Sequence, residues 1–435
     1  MRERLERYFL FGELKTNWRT EILAGVTTFV TMAYIVFVNA AILSDAGMPV
    51  TAVMAATCAS AAFASVLMGA YARYPIALAP GMGLNAYFTY TVVKGMGIAW
   101  QTALGAVFLS GVAFLILTVA GIRERIFASI PSELYSSVAV GIGLFIAFIG
   151  FRNSGLIVPH PATTVALGNL KDSNTLISIF GLLVTGALLA RRVRAGMLAG
   201  ILVTTLAAAA AGLIDWRPRP YTLAEIGATA FQLDIPGALK LGLVEIIFVF
   251  LFVDFFDNLG TLVAVGKKAK LFDSAGRIPR VNRILMTDAT ATVVGSMAGT
   301  STVVSYIESA AGIVAGGRSG VTAIVTGLLF AVALFLAPLA GAIPTSATAP
   351  ALILVGAAML SHVSEIPWNQ PVVAIPAFLT ITTIPLTFSI ANGIAIGFTA
   401  YTVLKVCAGR YREVNGLLWL LTILFVLRFA YLGGE

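Results

Sequence analysis

Two stretches of this sequence decide its fold: PIALAPGMGLNAYFTYTVV at residues 75–93 and TSTVVSYIESAAGIVAG at residues 300–316. Both are apolar, but Gly, Pro, Ser or Thr interrupts each one, and each carries a polar residue near its centre. Irregular backbone survives at membrane depth only where protein or a water-filled cavity satisfies its polar groups. We therefore predict two broken helices, with short extended segments, in the interior of a membrane protein.

The composition places these stretches in a chain that is nearly all membrane. Of its 435 residues, 59% are hydrophobic and 11% are charged, whereas a soluble domain has about 25% charged residues. The mean hydropathy is +0.94. About fourteen spans of roughly 20 residues fit this length. The last hundred residues fit two different numbers of spans, which differ by one. We predict an all-α polytopic protein of the cytoplasmic membrane, which excludes intrinsic disorder, a secreted disulfide scaffold and nucleic-acid binding.

Basic residues indicate which ends of the spans face the cytoplasm. The net charge is +8, and short basic segments lie between apolar stretches, as cytoplasmic loops do under the positive-inside rule. The group Lys405, Arg410 and Arg412 lies on the cytoplasmic side if residues 371–385 count as a full span. It lies on the outer side if they count as half of a broken span. An N-terminus inside the cell places five other segments on the cytoplasmic side: Arg73, Arg123 with Arg125, Arg191 to Arg194, Lys267 to Arg283, and Arg318.

Three pairs of landmarks recur in the same order along the chain and indicate an internal repeat. The halves contain seven spans each, an odd number, so the second half must cross the membrane in the opposite direction. An inverted repeat with paired broken helices is typical of a secondary transporter whose binding site lies near the bilayer midplane. The paired landmarks are Asn39 with Asn258, Asn85 with Glu308, and Pro131 with Pro344, separated by 219, 223 and 213 residues.

Two carboxylates in one span are the first candidate site residues. An ionisable residue inside a membrane span is costly and marks a functional site by default. Asp254 and Asp257 lie three residues apart in FVFLFVDFFDNLGTLVAV, so both project from about the same helix face. The alternative is that they cap a helix break or pair with buried bases, although no Lys or Arg occurs in this span before Lys267. We favour a ligand-binding role for Asp254 and leave both roles open for Asp257, while Asp288 is interpreted as mainly structural.

The two broken stretches supply further candidates. Glu308 lies in GTSTVVSYIESAAG, where hydroxyl-bearing residues surround one carboxylate. A polar packing seam between helices would explain the hydroxyl groups, but it would not explain a carboxylate at mid-depth. Asn85 follows APGMG, whose small residues allow a ligand or another backbone to approach closely. Capping of a half-helix is an equal alternative for Asn85 and is compatible with ligand binding.

Together these groups predict the chemistry of the ligand. Carboxylates accept hydrogen bonds from ring N–H groups, and an amide both donates and accepts. Neighbouring aromatic side chains, Tyr87, Phe88 and Phe256, can stack on a flat ring. A small, planar, neutral heterocycle suits such a site better than an anion does. Buried carboxylates without basic partners bind protons readily, which gives a physical basis for proton coupling.

The sequence predicts no metal, cofactor or disulfide. Two cysteines, Cys58 and Cys407, lie in or at the end of apolar segments, and the two histidines, His160 and His362, are too far apart in the chain for a metal cluster. The coupling ion is expected to be a proton. The expected partners are a small planar heterocycle and the lipid bilayer, with no nucleic acid and with a homodimer left open.

At these residues the chain resembles the adenine/guanine/hypoxanthine permease family, the AzgA-like branch of the nucleobase–cation symporters, which is related to the uracil and xanthine permeases. The resemblance extends over nearly the whole chain. The matching stretches are EILAGVTTFVTMAYIVFVN, YPIALAPGMGLNAYF, FLFVDFFDNLGTLVAV, GTSTVVSYIESAAG and SATAPALILVG. It implies a 7+7 inverted repeat divided into a core domain (residues 1–125 and 236–340) and a gate domain (residues 126–235 and 341–435). It also implies purine uptake driven by a proton gradient, by alternating access.

The resemblance also implies roles for individual residues. Asp254 and Glu308 would hold the purine directly and Asn85 would assist. Asp257 would support the site or, with Glu308, the proton coupling. One departure from the family's pattern is FFDN where many relatives look like LFDT, so Asn258 follows Asp257. This departure concerns fine specificity or packing.

Three rival functions fit the sequence less well than nucleobase transport does. A sulfate-type anion carrier of the same fold is disfavoured because Asp254 and Glu308 would repel its substrate. An intramembrane aspartyl protease needs two aspartates on separate helices, whereas Asp254 and Asp257 share one span. A passive channel is disfavoured because no ring of charge lines one face. We therefore predict a transporter and not an enzyme.

Overall fold

The structure is a computed structural model that describes residues 2–121, 131–214, 222–240, 244–269, 271, 278–335 and 342–431. Seven helices in this part of the chain are long and apolar enough to cross a membrane. The fold is almost entirely helical, as predicted. Its main helices are Trp18–Met32, Ile35–Ser44, Val50–Leu67, Trp100–Val119, Ser132–Asn153, Ser173–Ala190, Gly196–Ala210, Val244–Ala269, Val281–Ala298, Gly320–Ala333, Thr345–Met359, Pro371–Leu386, Ile390–Cys407 and Gly416–Tyr431.

The two predicted broken helices are confirmed, and their extended segments pair with each other. Strand Leu78–Pro80 lies antiparallel to strand Val303–Ser305, with Ala79 opposite Val304. The first strand continues into helix Met82–Ala86 and a π-helical turn, and the second is followed by helix Ser309–Val314. Because the strands pair, each satisfies backbone groups of the other that would otherwise be orphaned in the interior.

A hydroxyl group from the preceding helix fixes the first residue of each strand. Ser65 Oγ accepts from Leu78 N at 3.0 Å and donates to Leu78 O at 3.1 Å. In the second half, Thr292 Oγ1 accepts from Val303 N at 3.3 Å and donates to Val303 O at 3.2 Å. The same contact in both halves is what an inverted repeat requires, since equivalent helices must meet equivalent strands.

Small residues let the helices around this strand pair approach each other closely. A Cβ atom at Gly69 would lie 2.2 Å from the carbonyl oxygen of Gly320, and one at Gly320 would lie 2.1 Å from that of Gly69. The buried carboxylate of Glu21 adds a polar contact by accepting from the backbone N–H groups of Arg318 and Ser319. Such close packing and helix-end capping replace the hydrophobic driving force that is missing between helices in lipid.

The chain divides into two compact units, one formed by Met1–Ile116 with Gly150–Leu352 and the other by Leu117–Ile149 with Ile353–Glu435. The paired strands and the candidate site residues belong to the first unit. The bounds of core and gate domains inferred above stay a prediction. The loop at residues 152–172 forms a hairpin of strands Ile157–His160 and Thr164–Leu167.

The second unit contains the region in which the sequence leaves the number of spans open. Three helices occur there after residue 370, namely Pro371–Leu386, Ile390–Cys407 and Gly416–Tyr431. The first two pack tightly, because a Cβ at Gly393 would lie 2.2 Å from Ile384 Cγ1. The last two are joined by a hydrogen bond of 2.8 Å from Thr422 Oγ1 to Thr402 Oγ1.

An ion-pair cluster lies at the C-terminal end of helix Ile390–Cys407. Arg410 donates to both carboxylate oxygens of Glu413, at 2.6 and 2.8 Å, and Lys405 Nζ donates to Oε2 at 2.6 Å. The hydrogen bonds from Arg410 and then Lys405 lower the pKa of Glu413 from its usual 4.5 to about 2. The cluster therefore ties the segment after Cys407 to the helix that precedes it.

We predict that this contribution to stability depends on pH. Because the pKa of Glu413 is lowered on folding, the stabilisation is complete above 4.5 and is lost as the pH falls toward about 2. Glu413→Gln should lower the melting temperature of the purified protein at neutral pH, and the difference from wild type should shrink in acid. Glu3→Gln, at an exposed position, is the control. A difference that is the same at neutral and acidic pH would contradict the prediction.

Candidate functional site

A buried amide network surrounds Asn85 in the first broken helix. Asn39 Nδ2 donates to Thr57 Oγ1 at 2.7 Å and to Thr300 Oγ1 at 3.0 Å. Asn39 Oδ1 accepts from Asn85 Nδ2, and Asn85 Oδ1 in turn accepts from Ser301 Oγ. All five side chains are buried. The network joins both halves of the chain, because Thr300 and Ser301 lead into the second strand.

This network defines the surroundings of Asn85 more closely than the sequence does. Sequence reasoning treats Asn39 only as a landmark of the repeat, and it does not name Thr300 or Ser301. In the structure Asn39 and Ser301 each bind one end of the Asn85 amide, so they fix its orientation. Direct contact between Asn85 and a substrate stays a prediction.

A second network is centred on Asn258, in the helix that carries Asp254. Asn258 Nδ2 makes a long contact of 3.5 Å with Asp254 Oδ1 and also donates to Asp288 Oδ2. Asn258 Oδ1 accepts from Ser305 N at 3.2 Å. Asp254 and Asp288 are fully buried. Asn258 therefore connects two carboxylates with the second strand. The strand residue that it contacts, Ser305, lies three residues before Glu308.

Asp288 has a larger part in this site than sequence reasoning assigns to it. It is the eighth residue of helix Val281–Ala298, well inside the helix. Its contact with Asn258 brings it beside the Asp254 carboxylate, a neighbour that its position in the sequence does not indicate. The side chains of Phe256 and Asp257 lie outside the described residues, so their predicted roles stay predictions.

Glu308 precedes the half-helix Ser309–Val314 and is held by a tyrosine from the first span. Tyr34 Oη donates to Glu308 Oε1 at 2.7 Å. The Tyr34 side chain is buried, whereas Glu308 is partly exposed. Sequence reasoning missed Tyr34, although it lies in the quoted stretch MAYIVFVN as an isolated hydroxyl group in an apolar run.

The aromatic residues next to Asn85 lie in the interior. Tyr87 and Phe88 are fully buried, and both rings contact Phe250, with ring centroids 5.1 and 6.4 Å away. Phe250 lies one turn before Asp254 on the same helix. These contacts bring the first half-helix and the aspartate-bearing helix together. Stacking of Tyr87 or Phe88 on a ligand stays a prediction.

Comparison with known proteins identifies the family of this chain. The profile of the Xan_ur_permease family, described as a permease family, matches residues 19–413. The chain belongs to this family. It is 45% identical to the guanine/hypoxanthine permease PbuG of Bacillus subtilis, with 98% of this chain and all of that protein covered. It is 42% identical to the adenine permease AdeP of Escherichia coli K12, with 99% and 97% covered.

A solved structure shares the fold of this permease. The transmembrane domain of the cyanobacterial bicarbonate transporter BicA superimposes with a TM-score of 0.63 over 92% of this chain and 98% of that domain. Sequence identity is 14%, so this likeness concerns the fold alone. The family resemblance and the fold class inferred from the sequence are confirmed. The permease is a multi-pass protein of the cell membrane.

The buried amide network yields a testable prediction. Asn39→Ala removes the acceptor for Asn85 and the donor for Thr57 and Thr300, and each buried polar group left unsatisfied costs about 1–3 kcal/mol. The purified variant should melt at a lower temperature than wild type. Ser44→Ala is the control, since Ser44 Oγ donates only within its own helix, to Ala41 O. Equal melting temperatures for Asn39→Ala and Ser44→Ala would show that the network does not stabilise the permease.

Proposed function

We propose that the permease takes up purine nucleobases by proton-coupled alternating access. The observation that carries the proposal is that Asn258 links Asp254 to Ser305, three residues before Glu308. The linkage supports a site in which two carboxylates from different elements lie beside the same strand pair. The names of the relatives PbuG and AdeP support a guanine, hypoxanthine or adenine substrate.

The site chemistry supports a neutral base better than an anion. A purine presents ring N–H donors, and Asp254 and Glu308 can accept them. Bicarbonate, the substrate in the name of the fold neighbour BicA, would meet two carboxylates and be repelled when these are ionised. An anion carrier is therefore the alternative outcome of the uptake test. Competition of labelled hypoxanthine by unlabelled purines, pyrimidines and bicarbonate, in vesicles with an imposed pH gradient, separates the two functions.

Removing either carboxylate should abolish purine uptake. A donor on a bound base that loses its buried acceptor costs about 1–3 kcal/mol, and more when the partner is charged. Asp254→Ala and Glu308→Ala should each lack hypoxanthine uptake while reaching the membrane at normal levels. Glu13→Ala, which removes an exposed carboxylate outside the site, should transport normally. Normal uptake kinetics in either site variant would exclude that residue from binding.

Proton coupling is proposed to use Asp257 or Glu308, and in Glu308 the same carboxylate would also bind the base. Several carboxylates close together in a dry site cannot all stay ionised, so at least one binds a proton from the outside and releases it inside. Asp257→Asn or Glu308→Gln should weaken accumulation of hypoxanthine against its gradient but spare exchange of internal for external base. Exchange needs alternating access without net proton movement. If both variants still accumulate hypoxanthine in a pH-dependent way, the assignment is wrong.

A further inference from the structure

We propose that Tyr34 is a positioning residue for transport, whose hydroxyl group holds Glu308 in the orientation that binds the base. This inference rests on the proposed function. The distance of 2.7 Å from Tyr34 Oη to Glu308 Oε1 is the usual length of an O–H···O hydrogen bond, and such a bond to an ionised carboxylate is about twice as strong as one between neutral groups. Fixing one carboxylate oxygen also fixes the direction of the other.

The backbone around Tyr34 is built to place this hydroxyl group. Tyr34 lies in the interruption between helices Trp18–Met32 and Ile35–Ser44. There Val36 N bonds to Ala33 O at 3.3 Å and Phe37 N to Tyr34 O at 3.1 Å, so the helix tightens to an i→i+3 pattern. The interruption thus occurs at the residue that reaches Glu308. The ring is only 1% exposed, so packing fixes it while its hydroxyl group meets a partly exposed carboxylate.

The distance between the two partners is set independently by a close helix contact. A Cβ atom at Gly312, in the half-helix after Glu308, would lie 2.1 Å from Thr28 Oγ1 and 2.7 Å from Ala24 O. Helix Trp18–Met32 therefore packs against the backbone of helix Ser309–Val314. Both ends of the Tyr34–Glu308 bond are anchored, so the carboxylate has little freedom to swing away.

Two other tyrosines show what a purely structural hydroxyl group does in this unit. Tyr74 Oη donates to the carbonyl oxygen of Pro279, and Tyr306 Oη donates to that of Pro80. Each ties two backbone segments together. Tyr34 differs from them because its acceptor is the side chain proposed to bind the substrate.

The test compares Tyr34→Phe with Tyr74→Phe in reconstituted vesicles taking up labelled hypoxanthine. Losing a hydrogen bond to a charged group should raise the KM of Tyr34→Phe about tenfold, with Vmax largely retained, because the site stays intact but its carboxylate is less well oriented. Tyr74→Phe should keep the wild-type KM. An unchanged KM in Tyr34→Phe, with or without a lower melting temperature, would overturn the proposal.

A second measurement does not depend on transport. A hydrophobic carbodiimide labels protonated carboxyl groups in apolar surroundings, and a hydroxyl donor favours the ionised form of Glu308. Peptide mass spectrometry should find a larger labelled fraction of Glu308 in Tyr34→Phe than in wild type or Tyr74→Phe. An equal fraction would overturn the proposal.

Two further outcomes remain distinguishable. If Tyr34→Phe does not fold, Tyr34→Met replaces it, because it also lacks the hydroxyl group and leaves Glu308 unchanged. A raised KM then supports the proposal and an unchanged KM overturns it. If wild type takes up no purine, the proposed function fails, and the labelling comparison alone decides whether Tyr34 holds Glu308.

Discussion

A three-residue antiparallel pairing in the interior of the protein is the contact on which the rest of the structure depends. Two helices are broken there, and each break exposes backbone N–H and C=O groups that lipid cannot satisfy. Leu78–Pro80 and Val303–Ser305 satisfy one another. The pairing continues beyond the strands, through Gly81 N to Thr302 O at 2.9 Å and Tyr306 N to Ala77 O at 3.0 Å. Without this pairing neither half-helix could begin where it does.

The strand pair also connects the polar groups around the proposed site. Ser65 and Thr292 hold the first residue of each strand. The amide of Asn39 binds Thr300, just before the second strand, and the amide of Asn258 binds Ser305, the last residue of that strand. The paired strand backbones and the two amides therefore have partners within the protein. A site whose supporting shell is fixed in this way presents its carboxylates without first having to order them, which reduces the entropic cost of binding.

The sequence predicted the breaks and their carboxylates for a physical reason that needs no knowledge of neighbours. Gly and Pro weaken a helix in any fold, and a charge inside a span is costly in any fold. Tyr34 and Asp288 could not be assigned in the same way. Their roles depend on which helices adjoin them, since Tyr34 acts on a residue 274 positions away. A hydroxyl group in an apolar run gives no sign of its partner, and the three-residue strands are too short for a periodic pattern.

The strand pairing has a consequence for how the chain is made. Val303 pairs with Pro80, 223 residues earlier in the sequence, and at about 5–20 residues per second the first strand leaves the ribosome roughly 10–45 s before its partner exists. During that interval the unpaired backbone groups of the first broken helix need other hydrogen-bond partners. Water, the translocation machinery or a temporary continuous helix can supply them. The first half can thus enter the membrane early but becomes native late. The cell's quality control therefore has to tolerate a first half whose interior backbone groups are not yet paired, until the second half is made.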